Sequence, residues 1–198
     1  MLPKELSNGI CSLNPQEDRL AFSCLCELDK QGNITEYKFA KTVIRSRVKG
    51  VYSEINSLLA GSYDAELKEK YAEVSGQLPI IKELADILYK NKKNRGCPEL
   101  ETSESKLIIN DEDICVGVER RTRGRSEEII EDFMLVANEC AARFGMDNNL
   151  PFVYRIHEEP SDEKLESLRE ALVKLNVQYK LGEKACPGDM SEILKAAK

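Results

Sequence analysis

The stretch from Arg19 to Val48, RLAFSCLCELDKQGNITEYKFAKTVIRSRV, alternates large apolar residues with smaller or polar ones on both sides of a turn-forming segment. The alternating positions of its first arm are Leu20, Phe22, Cys24, Cys26 and Leu28. After the segment DKQGN the second arm places Tyr37, Phe39 and Val43 on one side. A period of two residues is typical of β-strands, and a polar segment with glycine is typical of a turn. The stretch therefore predicts an antiparallel β-hairpin.

The second arm of this hairpin ends in a group of positive charges with no acid between them. The members of this basic group are Lys38, Lys41, Arg45, Arg47 and Lys49. Tyr52 follows directly, in the first turn of a helix predicted from Val51 to Ala60 and ended by Gly61. Two interpretations of the Tyr52 ring stay open: contact with a base or sugar of a nucleic acid, or packing at the helix end.

Further elements follow the same periodicities. Residues 78–93, LPIIKELADILYKNKK, predict a helix, and KLIIN with ICVGVERR predict a strand pair around the turn DED. FVYRIH predicts a strand, and helices are predicted after Pro160 and near the C-terminus. Together these elements predict a mixed α/β (α+β) fold in which helices pack on an antiparallel-rich sheet.

The longest predicted helix is RSEEIIEDFMLVANECAARFG, residues 125–145. Ser126 is the expected N-terminal cap and Gly145 the expected stop. Its expected core stripe comprises Ile130, Phe133, Met134, Ala137, Ala141 and Phe144. Glu131 lies on another line of this helix, where it is either an exposed charge or a polar group that faces a channel.

Composition restricts the class of protein. The chain has 198 residues, of which 41% are hydrophobic and 32% charged, so it can bury one sizeable core. Its net charge of -6 argues against a wholly nucleic-acid-binding surface but not against a local basic face. Neither a membrane span nor a signal peptide is recognisable, which predicts a cytoplasmic protein with no membrane partner.

The residues that could bind metal show no convergent pattern. The seven cysteines include no Cys-x-x-Cys, and the single histidine, His157, has no cysteine close by. Cys24 and Cys26 are two residues apart in the first predicted strand, so both point to one face among apolar neighbours and are expected to be buried, reduced thiols. The acids Asp111, Glu112 and Asp113 are consecutive, so a solvated turn is expected there instead of a magnesium site.

Several catalytic sites are also disfavoured. A Ser-His-Asp or Cys-His site would need His157, yet no GxSxG motif is present. Phosphate-binding glycine motifs are absent as well. The arginines that precede the long helix, Arg120, Arg121, Arg123 and Arg125, either contact phosphates or lie in water.

Five collinear segments carry a resemblance to a known family. They are LPKELSNGICSLNPQEDRLAF, a hairpin that ends in SRVKGVY, RGCPELETSESKLII, EEIIEDFMLVANECAARF and YRIHEEPSDEKLESL. Together they resemble the central part of the catalytic domain of the ribonuclease II and ribonuclease R (RNB) family. The resemblance covers nearly the entire chain.

The resemblance implies a processive exoribonuclease that hydrolyses single-stranded RNA from its 3′ end with Mg²⁺ and releases nucleoside monophosphates. In the family the metal-binding aspartates lie upstream of an LP..LSN segment, and a catalytic arginine motif lies downstream of a YRIH segment. This chain contains neither. Residues 1–198 are therefore expected to be a single fragment of the catalytic domain, without cold-shock or S1 domains, inactive alone, binding no metal and needing no obligate protein partner.

The resemblance also implies RNA-binding roles for four residues. Tyr52 matches a tyrosine associated with preference for ribose, and Glu131 matches a glutamate that contacts the terminal nucleotides. Leu100 replaces a phenylalanine that stacks on the terminal base, and Lys49 stands where relatives often have arginine. The alternative hypothesis is a truncated RNA-binding or protein-interaction module without catalysis.

Overall fold

The structure is a computed structural model that describes residues 2–99, 104–121, 123–156, 158–179, 181–182 and 184–197. The chain divides into two compact units. The first unit comprises Met1–Leu88 and Arg123–Leu150, and the second comprises Tyr89–Thr122 and Pro151–Lys198. The mixture of helices with antiparallel strand pairs in these units confirms the predicted fold class.

The first unit begins with a single π-helical turn, Glu5–Ile10, and continues into the predicted hairpin. Strand β1, Asp18–Leu28, pairs antiparallel with β2, Ile34–Arg45. The Asp29 carboxylate accepts hydrogen bonds from the backbone N–H groups of Gln31 and Asn33, which closes the turn. The register places Leu20 opposite Val43 and Cys24 opposite Phe39, so the predicted apolar face is confirmed.

Three helices follow the hairpin. Helix α1 is Tyr52–Ala60, α2 is Ala65–Lys70, and α3 is Leu78–Asn94 after a 3-10 turn, Ser75–Gln77. Gly61 ends α1 in the left-handed conformation (φ 73°), as its position predicts. The side chains of Tyr71, Ala85 and Leu88 are buried in the described structure.

Helix α4, Arg125–Asp147, differs from its prediction at both ends. The N-terminal cap is Gly124, while Ser126 lies inside the helix and is buried. The helix continues through Gly145, which is buried, and the chain turns at Asn149 (φ 50°). Gly145 is therefore not the stop, because the left-handed residue that follows the helix is an asparagine.

The core-facing side of α4 is also rotated relative to the predicted stripe. Ile129 and Cys140 are buried, whereas Ile130, Met134 and Phe144 are exposed. Ser126 and Asp132 contribute polar side chains to the buried side. The predicted stripe is wrong for Ile130, Met134 and Phe144, because this helix buries small and polar side chains in place of these large apolar ones. Its other members, Phe133, Ala137 and Ala141, are half-buried.

The second unit contains a second hairpin and two helices. Strand β3, Glu104–Ile109, pairs antiparallel with β4, Cys115–Arg121, and the helices are α5, Asp162–Lys174, and α6, Pro187–Ala196. The core of this unit is formed by Leu165, Leu172, Leu181 and Ile193. These elements confirm the predicted hairpin and both predicted C-terminal helices.

One predicted element of the second unit is not found. Residues 152–156 of the expected strand FVYRIH form no regular secondary structure, and His157 lies outside the described residues. The side chains of Val153 and Ile156 are 93% and 76% exposed. Alternation of apolar residues does not specify a strand when no neighbouring strand supplies the hydrogen bonds.

Candidate nucleic-acid interface

Tyr52 is the first residue of α1, and its side chain is 45% exposed. The backbone just before it is fixed by Tyr71, whose hydroxyl accepts a hydrogen bond from the N–H of Val51 (3.1 Å). The same hydroxyl donates to the carboxylate of Glu54 (2.5 Å), which Lys70 also contacts (2.6 Å). A buried tyrosine therefore holds the backbone at the start of α1 while the Tyr52 ring remains accessible.

A polar network joins α1 to the N-terminus of α4. The Ser126 hydroxyl donates to the backbone carbonyl of Tyr52 (3.0 Å). The Asn56 side chain accepts from the N–H of Ser126 (2.8 Å) and donates to Glu127 (3.0 Å), which also accepts from the N–H of Gly124 (3.1 Å). Burial raises the pKa of Glu127, but these hydrogen bonds outweigh it and hold the pKa below its usual value.

A cavity of about 320 Å³ lies beside this network, in the first unit. It is lined by Gly50, Val51, Tyr52, Ile55, Leu59, Leu78, Ile81, Ser126, Ile129 and Ile130. The lining is mostly aliphatic, and Tyr52 is the one aromatic residue among its described members. The cavity is therefore suited to apolar or planar groups rather than to a phosphate.

Glu131 lies one residue beyond the cavity lining of α4. Its carboxylate pairs with the guanidinium of Arg123, and both side chains are partly exposed (43% and 48%). Successive helical residues are turned by about 100°, which directs Glu131 away from its neighbour Ile130. The structure thus brings α1 and α4 together but places Tyr52, and not Glu131, in the cavity. The RNA contacts of the two side chains stay predictions.

The basic end of the first hairpin is partly neutralised. Arg45 pairs with Asp18 (2.7 Å) and Arg47 with Glu73 (3.3 Å), which sequence order did not reveal. The hydrogen bond from Arg45 holds the pKa of Asp18 below its usual value. Lys49 is exposed and forms no ion pair within the described ranges. Lys49 therefore keeps the charge that a phosphate contact needs.

The remaining residues singled out from the sequence are Leu100, the arginines before α4 and the cysteines. Leu100 lies outside the described residues. Arg125 pairs with Asp86 (2.6 Å) and Glu128 (2.8 Å). Two carboxylates therefore already neutralise the guanidinium of this arginine without a bound phosphate. All seven cysteines are free.

The described residues offer no cluster of metal ligands. Among them, no group of three or more His, Cys, Asp or Glu side chains converges to hold a metal. At the acidic turn, Asn110 accepts hydrogen bonds from the N–H groups of Glu112 and Ile114. This closes the loop between β3 and β4 and agrees with a structural role for the turn.

None of the helices in the described ranges is long and apolar enough to cross a membrane.

Sequence reasoning missed the residues that position the interface. Asn56 and Tyr71 act across 70 and 20 residues of sequence, respectively, so local patterns do not reveal them. One signal was present: Glu127 follows Gly124 by three residues, the spacing at which a glutamate bonds back to the N-cap backbone.

Comparison with known proteins decides the family. The sequence profile of the RNB domain matches residues 1–198. The chain belongs to the RNB domain family. The chain is 37% identical to ribonuclease R of Escherichia coli (strain K12) over 196 residues, which is 99% of this chain and 24% of that protein.

Other RNB relatives give the same result. Ribonuclease R of Thermotoga maritima is 35% identical over 199 residues, covering 100% of this chain and 28% of that protein. The solved apo form of Mycoplasma genitalium RNase R superposes with a TM-score of 0.89 at 28% identity, covering 98% of this chain and 30% of that one. The same protein has been solved in complex with ribose-methylated single-stranded RNA (TM-score 0.88). The chain thus spans about a quarter of the length of the curated RNB proteins that it matches.

Proposed function

We propose that this chain forms an RNA-contacting part of the catalytic domain of a 3′ to 5′ exoribonuclease that degrades single-stranded RNA to nucleoside monophosphates. Membership of the RNB family along residues 1–198 is the observation that carries the proposal. The relatives named ribonuclease R and the RNA complexes of one solved neighbour support it. The parent protein would act in the cytoplasm, where reduced thiols are usual.

In this proposal the RNA strand passes over the start of α1. The exposed Tyr52 ring offers a flat face to a base or ribose. Three residues earlier, Lys49 offers a positive charge that no acid among the described residues pairs with. Glu131 and Leu100 complete the proposed contact, the former by hydrogen bonding and the latter by apolar contact with a base. The network through Ser126 and Asn56 would hold the Tyr52 backbone in position.

Cleavage itself is assigned to residues outside these 198. Among the described residues no group of three or more His, Cys, Asp or Glu side chains could hold a metal, so the proposal gives the metal-binding aspartates and the catalytic arginine to other parts of the parent protein. The isolated chain should therefore bind RNA without hydrolysing it.

The binding experiment compares two tyrosines of equal exposure. Tyr52 and Tyr63 are each 45% exposed in the first unit. Fluorescence anisotropy with a short single-stranded RNA should show that Tyr52→Ala weakens binding by roughly 5- to 150-fold, the range expected for one lost stacking contact. Tyr63→Ala should leave affinity unchanged. Equal affinities for Tyr52→Ala and the unmodified chain would contradict the assignment of Tyr52.

The hydrolysis experiment incubates the chain with 5′-labelled RNA and Mg²⁺. No shortening of the labelled strand is expected. Stepwise removal of 3′ nucleotides, after contaminating nucleases have been excluded, would overturn the assignment of cleavage to other residues.

The second candidate, a protein-interaction module, is favoured by one observation. Leu20, Phe22 and Val43 share a hairpin face and are 87%, 72% and 64% exposed. Exposed apolar groups of this kind often mark protein contacts. If the chain fails to bind RNA and Phe22→Ser alters its association state in ultracentrifugation, this candidate replaces the first.

A further inference from the structure

Three cysteine side chains meet between β1 and α4. Cys24 and Cys26 alternate along β1 and are half-buried, and Cys140 of α4 is completely buried. The sulfur atoms of Cys26 and Cys140 are 3.9 Å apart, although 114 residues separate them in sequence. The thiol of Cys24 also interacts with Cys140. The proposed RNA contact does not use this thiol cluster.

The surroundings of the cluster hold its two elements together. The Tyr37 hydroxyl of β2 donates to the carboxylate of Asp147 in α4 (2.9 Å). The rings of Phe39 and Phe144 make an edge contact with centroids 5.6 Å apart. Two contacts on the C-terminal side of Cys140 therefore hold α4 on the hairpin, so the sulfur separation reflects a packed arrangement.

We infer that Cys26 and Cys140 are a disulfide-forming pair that crosslinks β1 to α4 when the protein meets a low-molecular-weight disulfide such as oxidised glutathione. A disulfide bond is about 2.05 Å long, so rotations about the Cα–Cβ bonds must bring the two sulfurs together by about 1.9 Å. That distance is within the range of side-chain rotation.

The exchange proceeds in two balanced steps. The Cys26 thiolate attacks one sulfur of oxidised glutathione, forming a Cys26–glutathione mixed disulfide and releasing a glutathione thiolate. The Cys140 thiolate then attacks the Cys26 sulfur, forming the Cys26–Cys140 bond and releasing the second glutathione thiolate. The two protons lost by the cysteines end on the two glutathiones, so one disulfide is reduced as the other forms.

Accessibility assigns the order of these steps. Cys26 is partly exposed and can meet the oxidant, whereas Cys140 is completely buried and can react only with a sulfur that is already beside it. Burial raises the pKa of both thiols, that of Cys140 to about 12. Since the thiolate is the reactive form, the rate should increase about tenfold per pH unit from pH 7 to pH 9.

The other cysteines provide the comparison. Cys11, Cys115 and Cys186 are exposed, and Cys97 is half-buried. None of these four is paired with another sulfur within the described structure. They should form mixed disulfides with glutathione, whereas the Cys26–Cys140 pair should expel it.

The experiment treats the 198-residue chain with oxidised glutathione at pH 8.5 and analyses it by peptide mapping without reduction. We expect a peptide pair joined through Cys26 and Cys140, lighter by two hydrogen atoms than the sum of the reduced peptides. The melting temperature of the oxidised chain should increase by roughly 5–15 °C, because the crosslink closes a long loop, and reduction should reverse it.

Variants separate this pairing from other oxidation. Cys26→Ser and Cys140→Ser should abolish the crosslink, while Cys24→Ser and the exposed control Cys115→Ser should retain it. A map that shows only glutathione adducts at Cys26, a Cys24–Cys140 link, or links confined to the exposed cysteines would overturn the inference. The peptide map of the oxidised, unmodified chain shows whether Cys26 and Cys140 are joined even if a variant does not fold.

Discussion

The side chain of Asn56 in α1 caps helix α4 by accepting a hydrogen bond from the backbone N–H of Ser126 at 2.8 Å. The first N–H groups of a helix have no partner inside the helix, so this contact satisfies one of them from a neighbouring element. The Asn56 amide also donates to Glu127 (3.0 Å). One side chain thus joins the two helices at the place where Tyr52 begins α1.

Replacement of Asn56 by alanine should destabilise the protein by about 1–2 kcal/mol. The variant loses the cap on the Ser126 N–H and the donor to Glu127, and both groups are partly buried. Urea denaturation followed by circular dichroism measures the change. Asn138→Ala, at an exposed position of α4, is the control and should change stability by less than about 0.5 kcal/mol. Equal effects of the two replacements would contradict the capping role.

Gly124→Ala should be destabilising only while Asn56 is present. A Cβ at position 124 would lie 2.0 Å from the Nδ2 of Asn56, whereas the backbone there (φ -104°, ψ 178°) accepts any residue. The clash should cost about 1–3 kcal/mol. In an Asn56→Ala background most of that cost should disappear, and a double-mutant cycle measures the coupling.

Gly76→Ala is the matched control for this cycle. A Cβ at position 76 meets no atom within 4 Å, so the replacement should be neutral or slightly stabilising. A cost of Gly124→Ala that is independent of Asn56 would show that the glycine serves another purpose.

These contacts show where sequence reasoning ends. The hairpin turn and the end of α1 were predictable because Asp29 and Gly61 act on residues close by in the chain. The cap of α4 was not, since Asn56 is 70 residues from Ser126. A serine beside two glutamates is a common local start signal, and tertiary contact overrode it.

In the candidate site, too, the features set by neighbouring residues were predictable from sequence and those set by distant residues were not. Exposure of Tyr52 agrees with its position at the first turn of a polar helix end. The pairing of Arg45 and Arg47 with Asp18 and Glu73 depends on which segments meet in space, so a basic group read from sequence order overstates the free positive charge. Burial of Asp132 in α4 likewise contradicts the preference of hydropathy patterns for large apolar residues.

Acidification should weaken the attachment of α1 to Tyr71. The hydrogen bond from Lys70, followed by that from the Tyr71 hydroxyl, holds the pKa of Glu54 below its ordinary value of 4.5. The folded state favours the ionised carboxylate of Glu54. The contribution of this carboxylate to the free energy of unfolding is therefore complete at pH values above its ordinary pKa, and it is lost as the pH falls through the lower pKa of the folded state. Glu54→Gln should therefore melt at a lower temperature than the unmodified chain at pH 7, and the difference should shrink toward pH 3.

The control for this pH series is Glu69→Gln. Glu69 is exposed on α2 and forms no ion pair within the described ranges. Its replacement should leave the melting temperature nearly unchanged at both pH values. If the melting temperatures of Glu54→Gln and the unmodified chain differ by the same amount at pH 7 and pH 3, ionisation of Glu54 does not contribute to stability.

Glu131→Gln should separate RNA recognition from stability. The ion pair of Glu131 with Arg123 is about half exposed, and such pairs contribute about 0–1 kcal/mol, so the fold should tolerate the change. If Glu131 accepts a hydrogen bond from a ribose hydroxyl, the neutral amide oxygen of glutamine accepts a weaker one. The preference for RNA over DNA of the same sequence should then fall by about fivefold, or about 1 kcal/mol. Glu128→Gln is the matched control, because Glu128 is exposed one turn earlier on α4 and also pairs with an arginine, Arg125 (2.8 Å).

Anisotropy titrations with RNA and DNA of the same sequence, at a constant salt concentration, measure the ratio of the two affinities for each variant. An equal loss of preference in the two variants would assign the effect to general charge on α4 and remove Glu131 from the proposed contact.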